Sequence, residues 1–284
     1  MSDPAVATPV VAPLVSRSVI AVAGPDWRSF LQGLVTQDVE TLADGEARFA
    51  GLLTPQGRLL FDLFIVGRAG DGLIDCVAEH RGALMQRLQT YRLRAKVEIA
   101  AETMTVHARW GDLASADAEE KKEGWVRDPR LPGLGFRGYG APTTTGTGST
   151  DEAAYDAHRS ALGVPGPVDW GTDKTYPIEA NFDLLGGIDF KKGCFVGQET
   201  TSRMKRRGTI KSRMAPITFA GPPPAFGTEL LAGDLRAGQV LSGRDGRAMA
   251  MLRLDRLDTG PFTWADGRAW RADLPAWIQP IRPD

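Results

Sequence analysis

Cysteine and histidine are scarce in this chain of 284 residues, which contains two cysteines and three histidines. No histidine or cysteine stands at a metal-ligand spacing from another, and structural metal sites need such clusters. We therefore expect no permanently bound metal. A disulfide between Cys76 and Cys194 is also not expected, because a large core-forming chain without a signal peptide indicates a reducing compartment.

Long apolar runs and an excess of charge are also missing. No window approaches the roughly 18 apolar residues that span a bilayer, so no membrane segment is predicted. The net charge is −1, so the molecule as a whole is not an electrostatic nucleic-acid binder, and any anion site must be local. Residues 1–13 lack the Lys or Arg of a secretory or transit signal. We interpret them as a loose tail and expect a cytoplasmic protein.

With 42% hydrophobic and 24% charged residues, the composition is that of a globular protein that can bury a core. The first 213 residues mix helices and hairpins, which predicts an α+β fold. Periodicity and turn residues predict the following elements: a helix at 25–35, a hairpin at 48–66 around Thr54-Pro55-Gln56-Gly57, a strand at 73–78, a helix at 81–94, and a helix from an Asp151 cap through Leu162. After residue 214, short strands alternate with turns, which is typical of a small antiparallel barrel or sandwich.

Three regions follow from this pattern. After the tail comes an α+β region at 14–213, interpreted as two subdomains. The Thr- and Gly-rich stretch 141–150 within it is predicted to be a mobile surface loop. Residues 214–284 form the predicted C-terminal β domain.

The segment KKGCFVGQE at 191–199 places Cys194 among glycines and cations. A thiolate is the nucleophilic and metal-binding form of cysteine, and nearby Lys192 and Arg203 would favour it. Cys194 is therefore the candidate functional thiol, with a small buried cysteine as the alternative. His80, His107 and His158 are all distant in sequence, so no base is evident for a Cys–His nucleophile. A single thiolate can still supply one ligand to a transient metal centre.

Two other features can bind a ligand. The run 203–213 has six basic residues and no acid, which suits a polyglutamate tail, phosphates or an RNA backbone; a solvated strand or turn is the alternative. It contains few aromatics for base stacking. Asp62 and Glu179 are carboxylates that would suit an aminopyrimidine-like ring if they line a pocket, and they are ordinary solvent-facing acids otherwise. Glycine motifs for dinucleotides or P-loops are absent.

The pattern KGCFxGQE at 192–199, with Arg203, resembles the signature of the YgfZ family of folate-binding proteins, which includes mitochondrial iron–sulfur assembly factors. Other pieces follow in the same order, and the resemblance covers roughly residues 15–280: FLQG at 30–33 with Asp38, LTPQGR at 53–58 with Asp62, and PIE at 177–179. The family is similar in fold to the T-protein of the glycine cleavage system, a tetrahydrofolate-dependent aminomethyltransferase.

The resemblance implies an α+β body of mixed helices and antiparallel sheets around a central channel, plus a small C-terminal antiparallel β-barrel. It implies that Glu179 holds the pterin ring of a tetrahydrofolate and that Asp62 lines the same channel. Cys194, Lys192 and Arg203 would be the functional group, with a motif loop supported by Gly193, Phe195, Gly197, Gln198 and Glu199.

The implied function is a folate-binding accessory protein in iron–sulfur cluster assembly or repair, which indirectly supports tRNA-modifying iron–sulfur enzymes. Its implied partners are assembly proteins or client enzymes. A tetrahydrofolate-dependent aminomethyltransferase is the first alternative. Phe61-Asp62 stands where that enzyme has an acidic pair, and losing an acid weakens this alternative. An accessory role is therefore favoured over an enzyme, and a direct RNA-binding module is favoured least.

Overall fold

The computed structural model describes residues 9–111, 124–141, 148–208, 210–257, 261–264 and 266–278. The chain divides into two compact units, each built from separated segments. Unit 1 comprises residues 1–52, 61–158 and 185–196, and unit 2 comprises residues 53–60, 159–184 and 197–284. The predicted division at residue 214 differs from this grouping, because segments from much earlier in the chain join the C-terminal strands.

One five-stranded sheet of unit 1 has the order β3-β4-β5-β2-β6. Its strands are β2 (Arg17–Ala23), β3 (Ala47–Leu53), β4 (Leu59–Arg68), β5 (Asp71–Val77) and β6 (Glu98–Glu102). Strand β2 pairs antiparallel with both β5 and β6, and β4 pairs antiparallel with β5. The predicted hairpin and third strand are confirmed.

The second sheet of unit 1 has the order β10-β1-β7-β9-β8. Its strands are β1 (Val10–Pro13), β7 (Val106–Trp110), β8 (Trp125–Arg127), β9 (Phe136–Tyr139) and β10 (Gly148–Ser149). The loose-tail prediction is wrong for residues 10–13, because β1 pairs with β7 and β10 and buries Val11 and Ala12. Most of the predicted loop 141–150, residues 142–147, lies outside the described residues, as do residues 1–8 of the tail.

Five helices connect these strands in the described part: α1 (Trp27–Gln32), α2 (Arg81–Arg92), α3 (Glu152–Ala161), α4 (Pro167–Trp170) and α5 (Gln198–Arg207). Short 3-10 turns occur at Ala78–His80, Pro132–Leu134 and Leu254–Arg256. The Asp151 cap is confirmed, since the backbone N–H of Ala154 donates to its Oδ1 at 3.0 Å. The helix predicted at 81–94 ends at Arg92, and Leu93, which follows the helix end, is exposed.

The C-terminal strands of unit 2 form a nearly closed six-stranded antiparallel barrel in the order β15-β12-β13-β14-β11-β16. They are β11 (Ser212–Phe219), β12 (Glu229–Ala232), β13 (Leu235–Arg244), β14 (Arg247–Arg253), β15 (Phe262–Trp264) and β16 (Trp270–Ala272). A bridge between Thr263 and Ala269 narrows the gap between the edge strands. The predicted α+β class with a C-terminal barrel is thus confirmed.

Hydrophobic burial stabilises each unit around its own core. In unit 1, Val19 and Leu73 of the first sheet and Ala108 of the second belong to one buried cluster. In unit 2, the barrel interior holds Trp264, Trp270 and small residues such as Ala250. No helix among the described residues is long and apolar enough to cross a membrane.

Candidate functional site

Cys194 lies at the surface of unit 1, on the segment 185–196. Neither Cys194 nor Cys76 is in a disulfide. Cys76 is fully buried, and burial raises the pKa of its thiol to about 11. The thiolate is the reactive form, so Cys194 is the accessible thiol of the pair and Cys76 is a core residue.

Lys192 is fixed by three backbone carbonyls, one from the last residue of helix α1 and two from the turn that follows it. Its Nζ donates to the oxygens of Gln32 at 2.7 Å, Val35 at 2.6 Å and Gln37 at 3.0 Å. An ammonium carries three hydrogens, so these contacts use its whole donor capacity. The ring of Phe195 lies 5.3 Å from Nζ, within range of a cation–π contact.

Further hydrogen bonds tie the segment around Lys192 to the same turn. The Thr36 hydroxyl donates to the carbonyl of Gly187 at 2.5 Å, and the backbone N–H of Asp189 donates to the carbonyl of Thr36 at 3.0 Å. The Gln37 amide donates to the carbonyl of Gly186 at 2.6 Å. These hydrogen bonds therefore fix the conformation of the loop that leads to Cys194.

The environment of Lys192 is partly desolvated. Burial lowers its pKa to about 8, while Asp38, Asp189 and Glu40 act in the opposite direction. The contacts give Lys192 an anchoring role that the sequence did not suggest. The predicted stabilisation of the Cys194 thiolate by Lys192 stays a prediction.

The two glycines of the motif differ in what they require. Gly197 has a φ of +81°, caps the start of α5, and would place an added Cβ 2.5 Å from the carbonyl oxygen of Thr54. A left-handed φ and such an approach both favour glycine. An added Cβ at Gly193 would meet nothing within 4 Å. Within unit 2, Gly197 thus lets the hairpin tip pack against the start of α5.

The basic run 203–213 is neither one strand nor one turn. Its first part continues helix α5, whose opening residues are Gln198 and the exposed Glu199, and Arg203 is exposed. Its last residue, Arg213, is 1% exposed in strand β11. Arg203 therefore lies on a helix surface, Lys211 is exposed after the helix, and Arg213 is in the interior of unit 2.

Unit 2 contains a cavity of about 510 Å³ that brings two of the predicted residues together, Glu179 and Arg203. Three chain segments line it, with Tyr176, Glu179, Thr200, Arg203, Met204, Ile210, Lys211 and Ser212 as the lining residues. Among the described residues no ion pair joins Glu179 to Arg203 or to Lys211. A carboxylate and two cations therefore line one cavity without neutralising each other directly.

Hydrogen bonds fix both the side chain and the backbone of Glu179. Its Oε2 accepts a hydrogen bond from the backbone N–H of Tyr176 at 3.0 Å, and its carbonyl accepts one from Met214 at 2.8 Å. Burial raises the pKa of Glu179, although the Tyr176 N–H and the nearby Arg58 act to lower it. Burial of the carboxylate thus costs solvation free energy, and hydrogen bonds from a ligand with N–H donors can offset this loss.

Buried contacts that the sequence did not predict lie next to Glu179 in the fold. Arg213 pairs with Asp183 at 2.8 Å and donates to the carbonyl of Ile178 at 2.7 Å. Asn181 has a φ of +62° and donates from Nδ2 to the carbonyl of Met214 at 2.7 Å. A non-glycine residue with positive φ is sparsely populated and is retained when the surroundings hold it. Here they fix the turn that carries Glu179.

Asp62 lies in unit 1 and is part of a buried ion network. Its Oδ2 accepts from Arg17 at 2.7 Å, and Arg17 also bonds Asp75 at 2.6 Å. Arg137 bonds Asp75 at 2.6 Å, and its guanidinium carbon lies 3.8 Å from the centre of the Phe64 ring. Asp62 is only 4% exposed, and its ion pair with Arg17 links strand β4 to strand β2 within unit 1.

Metal ligation is not indicated by clustering. In the part of the chain that the structure describes, no group of three or more His, Cys, Asp or Glu residues could hold an ion.

A second cavity of about 510 Å³ in unit 1 is lined by residues that include Arg48, Trp125, Arg127 and Phe136. It contains none of the predicted site residues.

Comparison with known proteins gives consistent matches. Residues 211–280 match the family model of the CAF17 C-terminal β-barrel domain. The iron–sulfur cluster assembly factor IBA57 of Homo sapiens is 30% identical over 282 residues, covering 88% of this chain and 78% of that protein. The Mus musculus protein is also 30% identical, with the same coverage.

A homologue from Neurospora crassa is 33% identical over 239 residues, covering 74% of this chain and 54% of that protein. The chain thus spans about half the length of the first fungal relatives it matches. These relatives are all named as mitochondrial proteins, which contradicts the cytoplasmic location predicted from the sequence.

A solved structure shares the fold. The glycine cleavage system aminomethyltransferase T from Bartonella henselae superimposes with a TM-score of 0.76, covering 95% of this chain and 86% of that one. Its sequence identity is 19%, so the likeness concerns the fold alone.

Proposed function

Because the chain belongs to the IBA57 family of iron–sulfur cluster assembly factors, related to the YgfZ proteins, we propose that it is an accessory protein of iron–sulfur cluster assembly or repair that binds a reduced folate. The ligand site is the unit 2 cavity around Glu179, and the exposed thiol of Cys194 is the second functional element. Support of tRNA-modifying iron–sulfur enzymes would follow indirectly from this role.

The cavity of unit 2 is the observation that carries the folate proposal. Its volume of about 510 Å³ falls within the range of small-molecule sites, roughly 300–1,000 Å³. A pterin ring presents an N–H and an amino group side by side, and a carboxylate such as that of Glu179 can accept from both. The ring of Tyr176 supplies an apolar surface in the same lining.

The proposed role of Cys194 rests on exposure and anchoring. The thiol is accessible, and Lys192, two residues away, is fixed by three hydrogen bonds. A thiolate at such a position can serve as one ligand in a transient exchange of a metal or cluster. No permanent site is needed for this function.

Folate binding is tested by calorimetric titration of 5-formyltetrahydrofolate against the wild type, Glu179→Gln and Glu229→Gln. Glu229 is an exposed carboxylate of strand β12 in the same unit, and its substitution is the matched control. We expect micromolar binding by the wild type and the control, and at least tenfold weaker binding by Glu179→Gln, because a charge-assisted hydrogen bond is lost. Absence of binding to the folded wild type overturns the folate proposal.

The thiol is tested by complementation in a strain that lacks its own homologue, with the activity of an iron–sulfur enzyme as the measurement. Cys194→Ala is expected to fold normally and fail to restore that activity, whereas Cys76→Ala is expected to restore it. Full restoration by Cys194→Ala contradicts the thiol role.

An aminomethyltransferase activity receives no comparable support. Asp62, the one acid that remains where that enzyme has an acidic pair, is bonded to Arg17, and the structural neighbour shows the fold alone. Formation of methylenetetrahydrofolate from tetrahydrofolate and an aminomethyl donor would overturn this preference.

A further inference from the structure

We propose that the basic surface formed by Arg203, Arg206 and Lys211 binds the γ-linked glutamate tail of a folate, so that the protein selects polyglutamylated folates. This inference rests on the proposed function, because it assigns the outer part of the same ligand. It names the substrate class that the unit 2 cavity takes.

The first observation is that charges of both signs line the cavity without a direct ion pair between them. Glu179 is anionic when ionised, while Arg203 and Lys211 are cationic and exposed. In the described residues, neither Arg203 nor Lys211 has a side-chain ion pair or hydrogen bond. A ligand that complements this lining carries hydrogen-bond donors for Glu179 and negative charge for the two cations. A folate has this polarity, with a donor-bearing ring and a carboxylate tail.

The second observation is that the positive surface continues beyond the cavity along helix α5. Arg206 is exposed and lies three residues after Arg203, so both project from the same side of the helix. The only acid of α5 is Glu199, in its first turn. A single glutamate is too short to follow the helix, whereas several glutamates provide carboxylates at successive positions.

Polyglutamate fits this surface better than a nucleic acid does. Helix α5 contains no aromatic residue, and Tyr176 is the aromatic residue of the cavity lining. Binding of single-stranded RNA commonly uses several aromatic rings for stacking.

The test compares 5-formyltetrahydrofolate carrying one glutamate with the same compound carrying five, titrated into the protein of 284 residues at low and high salt. We expect the pentaglutamate to bind about tenfold more tightly at low salt, since a few exposed ion pairs each contribute modestly. The advantage should shrink at high salt, because exposed charges are screened.

The variant combines Arg203→Gln, Arg206→Gln and Lys211→Gln, and its expected result is a ratio of the two affinities near one. The control removes the same charge from exposed arginines of barrel strands β13 and β16: Arg236→Gln, Arg244→Gln and Arg271→Gln. It should keep the wild-type ratio. If the triple variant misfolds by circular dichroism, Arg203→Lys with Arg206→Lys replaces it and should retain the advantage, while the salt series on the wild type tests the proposal without any substitution.

The outcomes separate this inference from the proposed function. Equal affinity of the wild type for both compounds overturns the tail site and leaves folate binding intact. Lack of binding by either compound overturns both. Displacement of the pentaglutamate by a single-stranded RNA that binds more tightly, through the same three residues, assigns the surface to nucleic acid and overturns the inference.

Discussion

The Nζ atom of Lys192 lies 2.6 Å from the backbone carbonyl oxygen of Val35, across more than half of the sequence of the protein. Two further carbonyls of the same turn complete the set of acceptors. An ammonium in this position closes the C-terminal end of α1 and holds the loop that carries Cys194. Its neighbour Lys191 is exposed and offers a matched comparison.

Lys192→Met is expected to destabilise the protein by about 2 kcal/mol, because a charged donor is removed from three carbonyls that its packing partly shields from water. Lys191→Met should change stability by less than about 0.5 kcal/mol. Urea unfolding followed by tryptophan fluorescence measures both. Equal effects of the two substitutions would contradict the anchoring role.

The same lysine predicts a pH dependence with a definite sign. Burial lowers the pKa of Lys192 in the folded protein to about 8, from an ordinary value of 10.5. Between these two pH values the unfolded chain binds more protons than the folded one, so rising pH stabilises the folded state. The free energy of unfolding of the wild type, relative to Lys192→Met, should therefore rise between pH 8 and 10.5. A fall over this window would contradict the lowered pKa.

The glycines on either side of Cys194 provide a paired test. Gly197→Ala is expected to cost about 2 kcal/mol or more, because it combines a left-handed backbone angle with a clash against the Thr54 carbonyl. Gly193→Ala should be nearly neutral, since its surroundings are open. Thermal unfolding of the two variants measures the difference. A destabilisation by Gly193→Ala as large as that by Gly197→Ala would be inconsistent with the packing at the start of α5.

The ion network of unit 1 predicts a large effect at Asp75. Burial acts to raise the pKa of Asp75, but Arg137 and Arg17 outweigh it and hold that pKa below its ordinary value. Asp75→Asn leaves two buried arginines without their shared charge partner, so a loss of about 3–5 kcal/mol is expected. The stabilisation should also disappear on acidification, as the pH falls through the lowered pKa.

The control for Asp75 is Asp255→Asn, which breaks the exposed pair between Arg253 and Asp255, separated by 2.8 Å. A change of less than about 1 kcal/mol is expected there. Similar losses for both variants in urea unfolding would show that burial does not set the strength of the network.

Features with local causes could be predicted from the sequence. The first hairpin follows from two apolar runs around a Pro-Gly turn, and the start of α3 follows from the Asp151 cap. Strand β1 was missed because its partner, β7, lies about a hundred residues away. Helix α5 was missed because its basic residues lack an apolar stripe.

The candidate site divides in the same way. Cys194 and Gly197 belong to a recognisable local motif. The acceptors of Lys192, by contrast, are more than 150 residues away in sequence, and Arg213 reaches Asp183 across 30 residues. No periodicity or spacing marks such partners, since they are determined by the tertiary fold.

The segmented make-up of unit 2 has a consequence for synthesis on the ribosome. Residues 53–60 leave the exit tunnel long before residues 159–184 and 197–284, with which they form one compact body. The cavity lining itself is complete only when Ser212 has been translated. Residues 53–60 therefore cannot pack until the later segments of unit 2 have been synthesised. Bringing segments together across such long stretches of chain slows folding. Nascent chains released before β11 should lack the complete cavity of unit 2, and they are the stage at which we expect the protein to depend most on chaperones.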